Sequence, residues 1–437
     1  DLNDGAGNFV GGPNNFGTGS DASSELALGD IDGDGDLDVA LVNDQAQNIV
    51  YKNNGTGAFT AGTVNFGPAG GADDHPTAVV LADLNGDGLL DIAVANDTGS
   101  PDYIYYNAAP PGFASSVPAA NLLDVAVGAN VSATFSTAMT GPTASNFKVY
   151  GAMTGRRTGA YSGTGTTTLT FDPAGDFKKG EQVEVVFTAG STSFKHVESM
   201  TYVPLKKAYV WRFSAAAGSG PGLYSGIGRP IGTGTDASAA LVLGDLDGDG
   251  DIDAGVGNKT AGQNVAYLND GTGSFTGSRN FGSGSDDTEA VFFADLDNDG
   301  DLDVGVGNHG AGQNAAYLND GTGNFTGSAR NIGSGDDTRA MAVGDLDGDG
   351  DPDVAVGNAS SQQNAVYLND GAGNFAGSSN FGSGSDITLA LALGDPDNDG
   401  DLDIAQGNSG QQSAVYLNDG SGIFSAGSQT FGAGTDI

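Results

Sequence analysis

Six nine-residue stretches, beginning at Asp30, Asp83, Asp245, Asp295, Asp345 and Asp395, carry acidic side chains at nearly every second position. The first reads Asp30-Ile-Asp-Gly-Asp-Gly-Asp-Leu-Asp38. Carboxylates at positions 1, 3, 5 and 9 of such a loop, with the backbone carbonyl of position 7, supply an all-oxygen cage for a hard cation that takes six to eight ligands. Calcium fits this chemistry better than magnesium, which demands stricter octahedral geometry and retains water. About six Ca2+ ions are therefore expected, one per loop. The ligands are Asp30, Asp32, Asp34, Asp36 and Asp38 in the first loop, and Asp83, Asn85, Asp87, Leu89 and Asp91 in the second. The third uses Asp245, Asp247, Asp249, Asp251 and Asp253; the fourth Asp295, Asp297, Asp299, Asp301 and Asp303. The fifth uses Asp345, Asp347, Asp349, Asp351 and Asp353, and the last Asp395, Asp397, Asp399, Asp401 and Asp403.

The copies test one another. Leu89 stands at position 7 of the second loop, which a backbone ligand tolerates, and Asn85 at position 3 still offers a side-chain oxygen. Position 6 is glycine in all six, and position 4 is only glycine or asparagine, the residue types that accept a left-handed backbone. A plain hydrophilic turn would not need up to five mutually repelling acids. An EF-hand would run on to a glutamate at position 12 between helices. Here position 9 is already Asp, and the flanks are short apolar runs such as Ala240-Leu-Val-Leu243, which read as strands.

The elements that carry these loops follow from their spacing. The last four loops recur every 50 residues and the first two are 53 apart. One full repeat has a strand over Ala340–Val343, the loop, a strand at Val354–Gly357, a third at Asn364–Leu368, the turn Asn369-Asp-Gly-Ala-Gly-Asn-Phe375, and a fourth ending near Asn380-Phe-Gly382. Four strands per repeat predict an all-β fold, a β-propeller of four-stranded blades. Six complete repeats plus an N-terminal half repeat leave six or seven blades open.

The loop pattern and the following turn, as at Tyr317-Leu-Asn-Asp-Gly-Thr-Gly-Asn-Phe325, resemble the VCBS/FG-GAP repeats of calcium-loop propellers related to the integrin α-subunit head. The resemblance covers about three-quarters of the chain and implies an extracellular, calcium-loaded, non-catalytic module. The turn departs from the pattern at Lys52-Asn-Asn-Gly55 and at Tyr106-Asn-Ala-Ala-Pro-Pro-Gly-Phe113.

Between the second and third loops the spacing triples, and composition changes over residues 111–215. This segment holds 9 of the 15 basic residues, the single Trp211 and three of the four Met. Its formal charge is +3 against −43 for the remainder. Alternating stretches at Val131–Phe135, Thr168–Phe171 and Val183–Phe187 predict a β-sandwich. The run Val131-Ser-Ala-Thr-Phe-Ser-Thr-Ala-Met139 with Phe171-Asp-Pro and Lys179-Gly-Glu-Gln-Val183 resembles a bacterial Ig-like domain. The expected organisation is a propeller over 1–110 and 216–437, with an Ig-like insertion at 111–215.

Net charge is −40, and 28 of the 55 acidic residues lie in the six loops. That charge argues against nucleic acid as a partner. No apolar run approaches the ~18 residues of a membrane span, so no membrane insertion is expected. Cysteine is absent. The chain begins at Asp1 in mid-repeat, as a processed or truncated protein would. His75, His196 and His309 are the only histidines, and none has the company of a nucleophile in a recognisable motif. Millimolar calcium points to an extracellular or cell-surface place in a bacterium or archaeon. The expected function is a non-enzymatic, calcium-stabilised structural protein making protein–protein contacts. The spare strand in residues 1–21 and the positive sandwich suggest a homo-oligomer or filament, by strand donation and docking onto a neighbour's propeller. The alternative is a lectin-like adhesin binding glycans or cell-surface ligands, although the propeller part has no Trp on which to stack a sugar.

Overall fold

A computed structural model describes residues 2–3, 9–10, 22–44, 46–55, 59, 64–67, 75–85, 87–97, 101–107, 111–189, 205, 207–218, 230–232, 237–260, 262–310, 312–325, 327–359 and 362–431. Every regular element among them is a strand. The chain divides into two compact units, one built on residues 1–110 and the other on 111–196 and 204–437.

The first unit contains two propeller-type blades. Blade 1 is an antiparallel sheet of Ala22–Gly29, Asp38–Asp44, Asn48–Tyr51 and Val64–Phe66, in that order. Blade 2 has Pro76–Ala82, Asp91–Asn96 and Tyr103–Tyr105 among the described residues. Leu2–Asn3 pairs with Phe9–Val10 of the same chain. The remainder of the proposed donor strand, including Asn15–Gly17, lies outside the described residues.

The second unit contains blades 3 to 6 and the sandwich. Blades 3, 4, 5 and 6 open with Ser238–Gly244, Thr288–Ala294, Thr338–Gly344 and Thr388–Gly394, and each is four strands in sequence order. Every loop of the aspartate series joins the first strand of its blade to the second. The second strands, Asp253–Asn258, Asp303–Asn308 and Asp353–Asn358, are buried along their whole length. Their small residues make that possible. A Cβ on Gly305 would lie 2.1 Å from the Phe292 ring, so glycine admits the aromatic that fills the core there.

The sandwich packs the sheet of Phe113–Val117, Val131–Met139, Thr166–Pro173 and Gly159–Ser162 against that of Gly155–Arg156, Phe147–Gly151, Gln182–Phe187 and Tyr209–Ser214. Its core is aromatic: Phe147 and Phe187 lie 4.1 Å apart between centroids, and Trp211 stacks on Phe187 at 5.8 Å. The all-β architecture of propeller blades with an Ig-like insert is the one expected from the repeats.

Candidate metal centre

In the first loop, single oxygens of Asp30, Asp32 and Asp38 lie within 4.8 Å of one another. The same holds for Asp245, Asp247 and Asp253, and for Asp345, Asp347 and Asp353. In the fourth and sixth loops the converging set is positions 1, 3 and 5: Asp295, Asp297, Asp299 and Asp395, Asp397, Asp399. The second loop forms no such carboxylate triplet among the described residues, and its position 3 is Asn85, whose Oδ1 accepts from the amide of Asp87 at 2.9 Å.

The convergence is enforced by the backbone. Positions 4 and 6 hold left-handed φ angles, for example +78° and +95° at Gly33 and Gly35, and +63° and +102° at Asn298 and Gly300. The chain thereby turns its amides inward onto the position-1 carboxylate. Gly348 and Gly350 donate to Asp345 Oδ1 and Oδ2 at 2.8 and 3.0 Å. In the loops of blades 3–6, position-3 and position-5 carboxylates each accept from the amide two residues on, as Asp249 does from Asp251 at 2.8 Å.

Position 9 has a second duty. Asp303 is fully buried; its Oδ2 accepts from the amide of Leu296 at 2.9 Å, and its Oδ1 from the amide of Asn319 at 2.8 Å. It thus ties the loop to the Asn-Asp-Gly turn beyond the third strand. In the last loop position 2 is Pro396, which has no N–H, and Asp403 Oδ2 is left buried without a hydrogen bond. Position 7 is taken up differently. Oxygens of Asp251, Asp301 and Asp401 lie 2.4–2.7 Å from where a Cβ would stand on the turn glycines Gly271, Gly321 and Gly420. These side chains therefore face the hairpin turns, and the position-7 side chain is absent from every converging set.

Burial pushes the Asp303 carboxyl up to about 8, and those of Asp295 and Asp403 to about 7. It also raises Asp345 and Asp353 well above the ordinary range, with the neighbouring carboxylates adding to the effect. Ionised, such a cluster is costly unless a cation sits among the oxygens. Asp295 Oδ1 is buried with no hydrogen-bond partner, whereas its counterpart Asp345 Oδ1 has one. An all-oxygen donor set with a buried, unpartnered carboxylate oxygen fits a hard divalent cation. A bound calcium ion would supply the positive charge that keeps these carboxylates ionised and the loop closed.

The match to known families rests on these same loops. A family model described as an FG-GAP-like repeat matches residues 30–94, 245–306, 305–356 and 345–406, more than half of the chain. The chain belongs to the FG-GAP-like repeat family. A bacterial Ig-like domain model matches residues 107–215 of this FG-GAP-like protein. No curated protein matches it. Among solved structures it is similar to BBS1N in complex with ARL6DN soaked with lead, at 11% identity over 94% of this chain and 84% of that one, TM-score 0.30. The same complex soaked with mercury gives 13% identity over 89% and 90%, TM-score 0.27. LD transpeptidase LdtMt1 in complex with imipenem gives 15% over 48% and 82%, TM-score 0.17. FG-GAP-like repeats together with an Ig-like domain suggest an extracellular role in protein–protein interaction or adhesion. Among the described residues no helix is long and apolar enough to cross a membrane.

Two groups at the site were not read from the sequence as functional. The turn asparagines Asn269, Asn319, Asn369 and Asn418 hold the position-9 aspartates through their backbone amides, whereas by residue type they are only turn formers. Their recurrence one residue after Tyr-Leu was the available signal. The second group is basic and lies in the sandwich. Lys148 pairs with Asp351 at 2.7 Å, and Lys207 with Asp401 at 3.1 Å and Asp399 at 3.5 Å. Arg156 donates to Asn298 Oδ1 at 3.1 Å. These cations were expected to meet a neighbour's propeller. They meet the loops of their own chain instead, because the insertion returns the sandwich to blades 3–6.

The histidines sit beside carboxylates. His75 Nδ1 lies 2.5 Å from Asp44, and His309 lies between Asp287 at 3.4 Å and Asp337 at 3.2 Å. His196 lies outside the described residues.

Proposed function

We propose that this FG-GAP-like protein is a calcium-stabilised, non-catalytic extracellular or cell-surface protein whose work is to hold protein partners. The observation that carries the reading is the convergence of three carboxylates within 4.8 Å in five of the six repeated loops. Calcium is the chemistry that such all-oxygen loops serve. At extracellular concentrations, modules with Kd of about 10⁻⁴–10⁻³ M are substantially loaded. The loops then act as staples in a chain that has no cysteine.

Calorimetric titration of the metal-free chain with calcium tests this. Saturable binding of several ions in the submillimolar to millimolar range, with a rise in melting temperature, supports it. Heat-free titration with an unchanged melt rules it out. Self-assembly into a filament or surface array is the narrower form of the proposal. Electron microscopy at about 2 mM calcium and after chelation decides it, since calcium lies above the expected Kd there. Assemblies that disperse on chelation support an array, and discrete particles in both conditions direct attention to other partners, with glycan binding the first alternative to assay.

A further inference from the structure

The sandwich touches all four loops of the second unit, through loop side chains and through their backbone. The position-6 carbonyl of Gly350 accepts from Tyr150 Oη at 2.8 Å, that of Gly400 from the amide of Val210 at 2.7 Å, and that of Gly250 from Lys178 Nζ. The equivalent oxygen of Gly300 comes within 3.2 Å of where a Cβ would stand on Gly155. Position-1 amides are taken as well: Asp245 donates to Met153 O at 2.8 Å and Asp345 to Glu184 Oε1 at 3.1 Å. Beneath these polar contacts, Val186 and Val210 join one buried apolar cluster with Leu346 and Leu402, the residues at positions 2 and 8 of two loops.

We infer that the Ig-like domain is an intramolecular clamp that recognises the calcium-loaded conformation of the loops in blades 3–6, so that its docking and their calcium binding are thermodynamically linked. The inference rests on the calcium reading of the loops. Of the contacted groups, the position-6 carbonyls sit at a left-handed turn of the loop itself, with φ of +94°, +102°, +89° and +97° at Gly250, Gly300, Gly350 and Gly400. The sandwich therefore reads a backbone shape that an ion inside the loop would hold. A loop already shaped by docking loses less conformational freedom when it closes on calcium, and linkage makes the effect reciprocal. One term opposes this. Lys178 lies 4.0 Å from Asp245, Lys207 3.5 Å from Asp399 and 3.1 Å from Asp401, and Lys148 2.7 Å from Asp351, so all three place positive charge beside loop carboxylates. The pairs to Asp245 and Asp399 are partly exposed and screened by salt, and the two short pairs fall on position-7 side chains outside the converging sets, whereas ordering the loop backbone involves several residues per loop. The favourable term wins.

Hydrogen exchange of the full chain, followed by mass spectrometry across a calcium titration, separates the loops. In the natural protein, strand Tyr209–Ser214 should gain protection with the same calcium midpoint as loop 395–403. In Tyr150→Phe, which removes a hydroxyl 2.8 Å from Gly350 O and 2.9 Å from Asn298 Oδ1, the midpoints of loops 345–353 and 295–303 should rise, together by about three- to tenfold, the worth of one well-made hydrogen bond. The loops at 30–38 and 83–91 should not move. Sandwich protection that ignores calcium, or variant midpoints that stay put or fall, overturns the clamp while leaving calcium binding intact. Loops that gain no protection from calcium at all overturn the calcium reading and the clamp together.

Discussion

Asn319 Nδ2 donates at 2.7 Å to the carbonyl of Leu246, 73 residues earlier, and at 3.0 Å to that of Leu302 in its own loop. One amide thus joins the turn of blade 4 to the aspartate loop of blade 3. Asn369 and Asn418 repeat the bond to Leu296 and Leu346 at 2.9 and 2.8 Å. In the first unit Asn107 reaches Ile31 at 2.7 Å. Successive blades are therefore stitched at the loops themselves, and anything that closes a loop also presents a carbonyl to the next blade.

Asn319→Ala should leave the buried carbonyl of Leu246 without this partner. A cost of about 1–3 kcal/mol is expected. Thermal or denaturant unfolding with calcium present measures it. The exposed neighbour Asp320, changed to Ala, is the control that should cost much less.

Removing calcium should lower stability severely. At ten times Kd each site contributes ~1.4 kcal/mol by mass action, and several sites together approach the ~5–15 kcal/mol of a whole domain. A melting temperature that is equal in calcium and in excess chelator would contradict the account.

The pH dependence should change sign with the metal. In the folded, metal-free chain burial raises Asp303 to about 8 and Asp295 and Asp403 to about 7, from an ordinary 3.8. A folded-state pKa above the unfolded value gives stability that is fully present below the lower value and lost as pH rises through the upper one. The metal-free chain should therefore lose stability between about pH 4 and pH 8. Calcium needs the ionised carboxylates, so the loaded protein should gain stability over the same interval. Melting curves of both forms across that range provide the check, and parallel slopes would count against the buried-cluster explanation.

Pro396→Leu should be stabilising. The position-2 amide that serves Asp38, Asp91, Asp253, Asp303 and Asp353 is missing only in the last loop, where Pro396 occupies position 2 and Asp403 position 9. Restoring it satisfies a buried carboxylate oxygen, worth about 1–3 kcal/mol, against about 0.4–1 kcal/mol of lost chain stiffness. A lower melting temperature in the variant would show that the backbone at this position prefers proline for another reason.

Much of this protein is local, and local features are legible in a chain. The alternation Asp-x-Asp-Gly-Asp-Gly sets its own turns, because only glycine and asparagine enter the left-handed region cheaply. Carboxylates from one short loop then converge whatever surrounds them. The 50-residue period made propeller blades the economical fold, and the break in period and charge exposed the insertion. What the chain could not display is where groups distant in sequence meet. Asn319 reads as a turn former until Leu246 is placed beside it. Lys148, Lys178 and Lys207 read as a free positive surface until the insertion folds back onto loops as many as 203 residues away, as it does from Lys148 to Asp351. Loop chemistry is dictated by adjacent residues, whereas blade stitching and sandwich docking depend on packing that exists only once the strands have assembled.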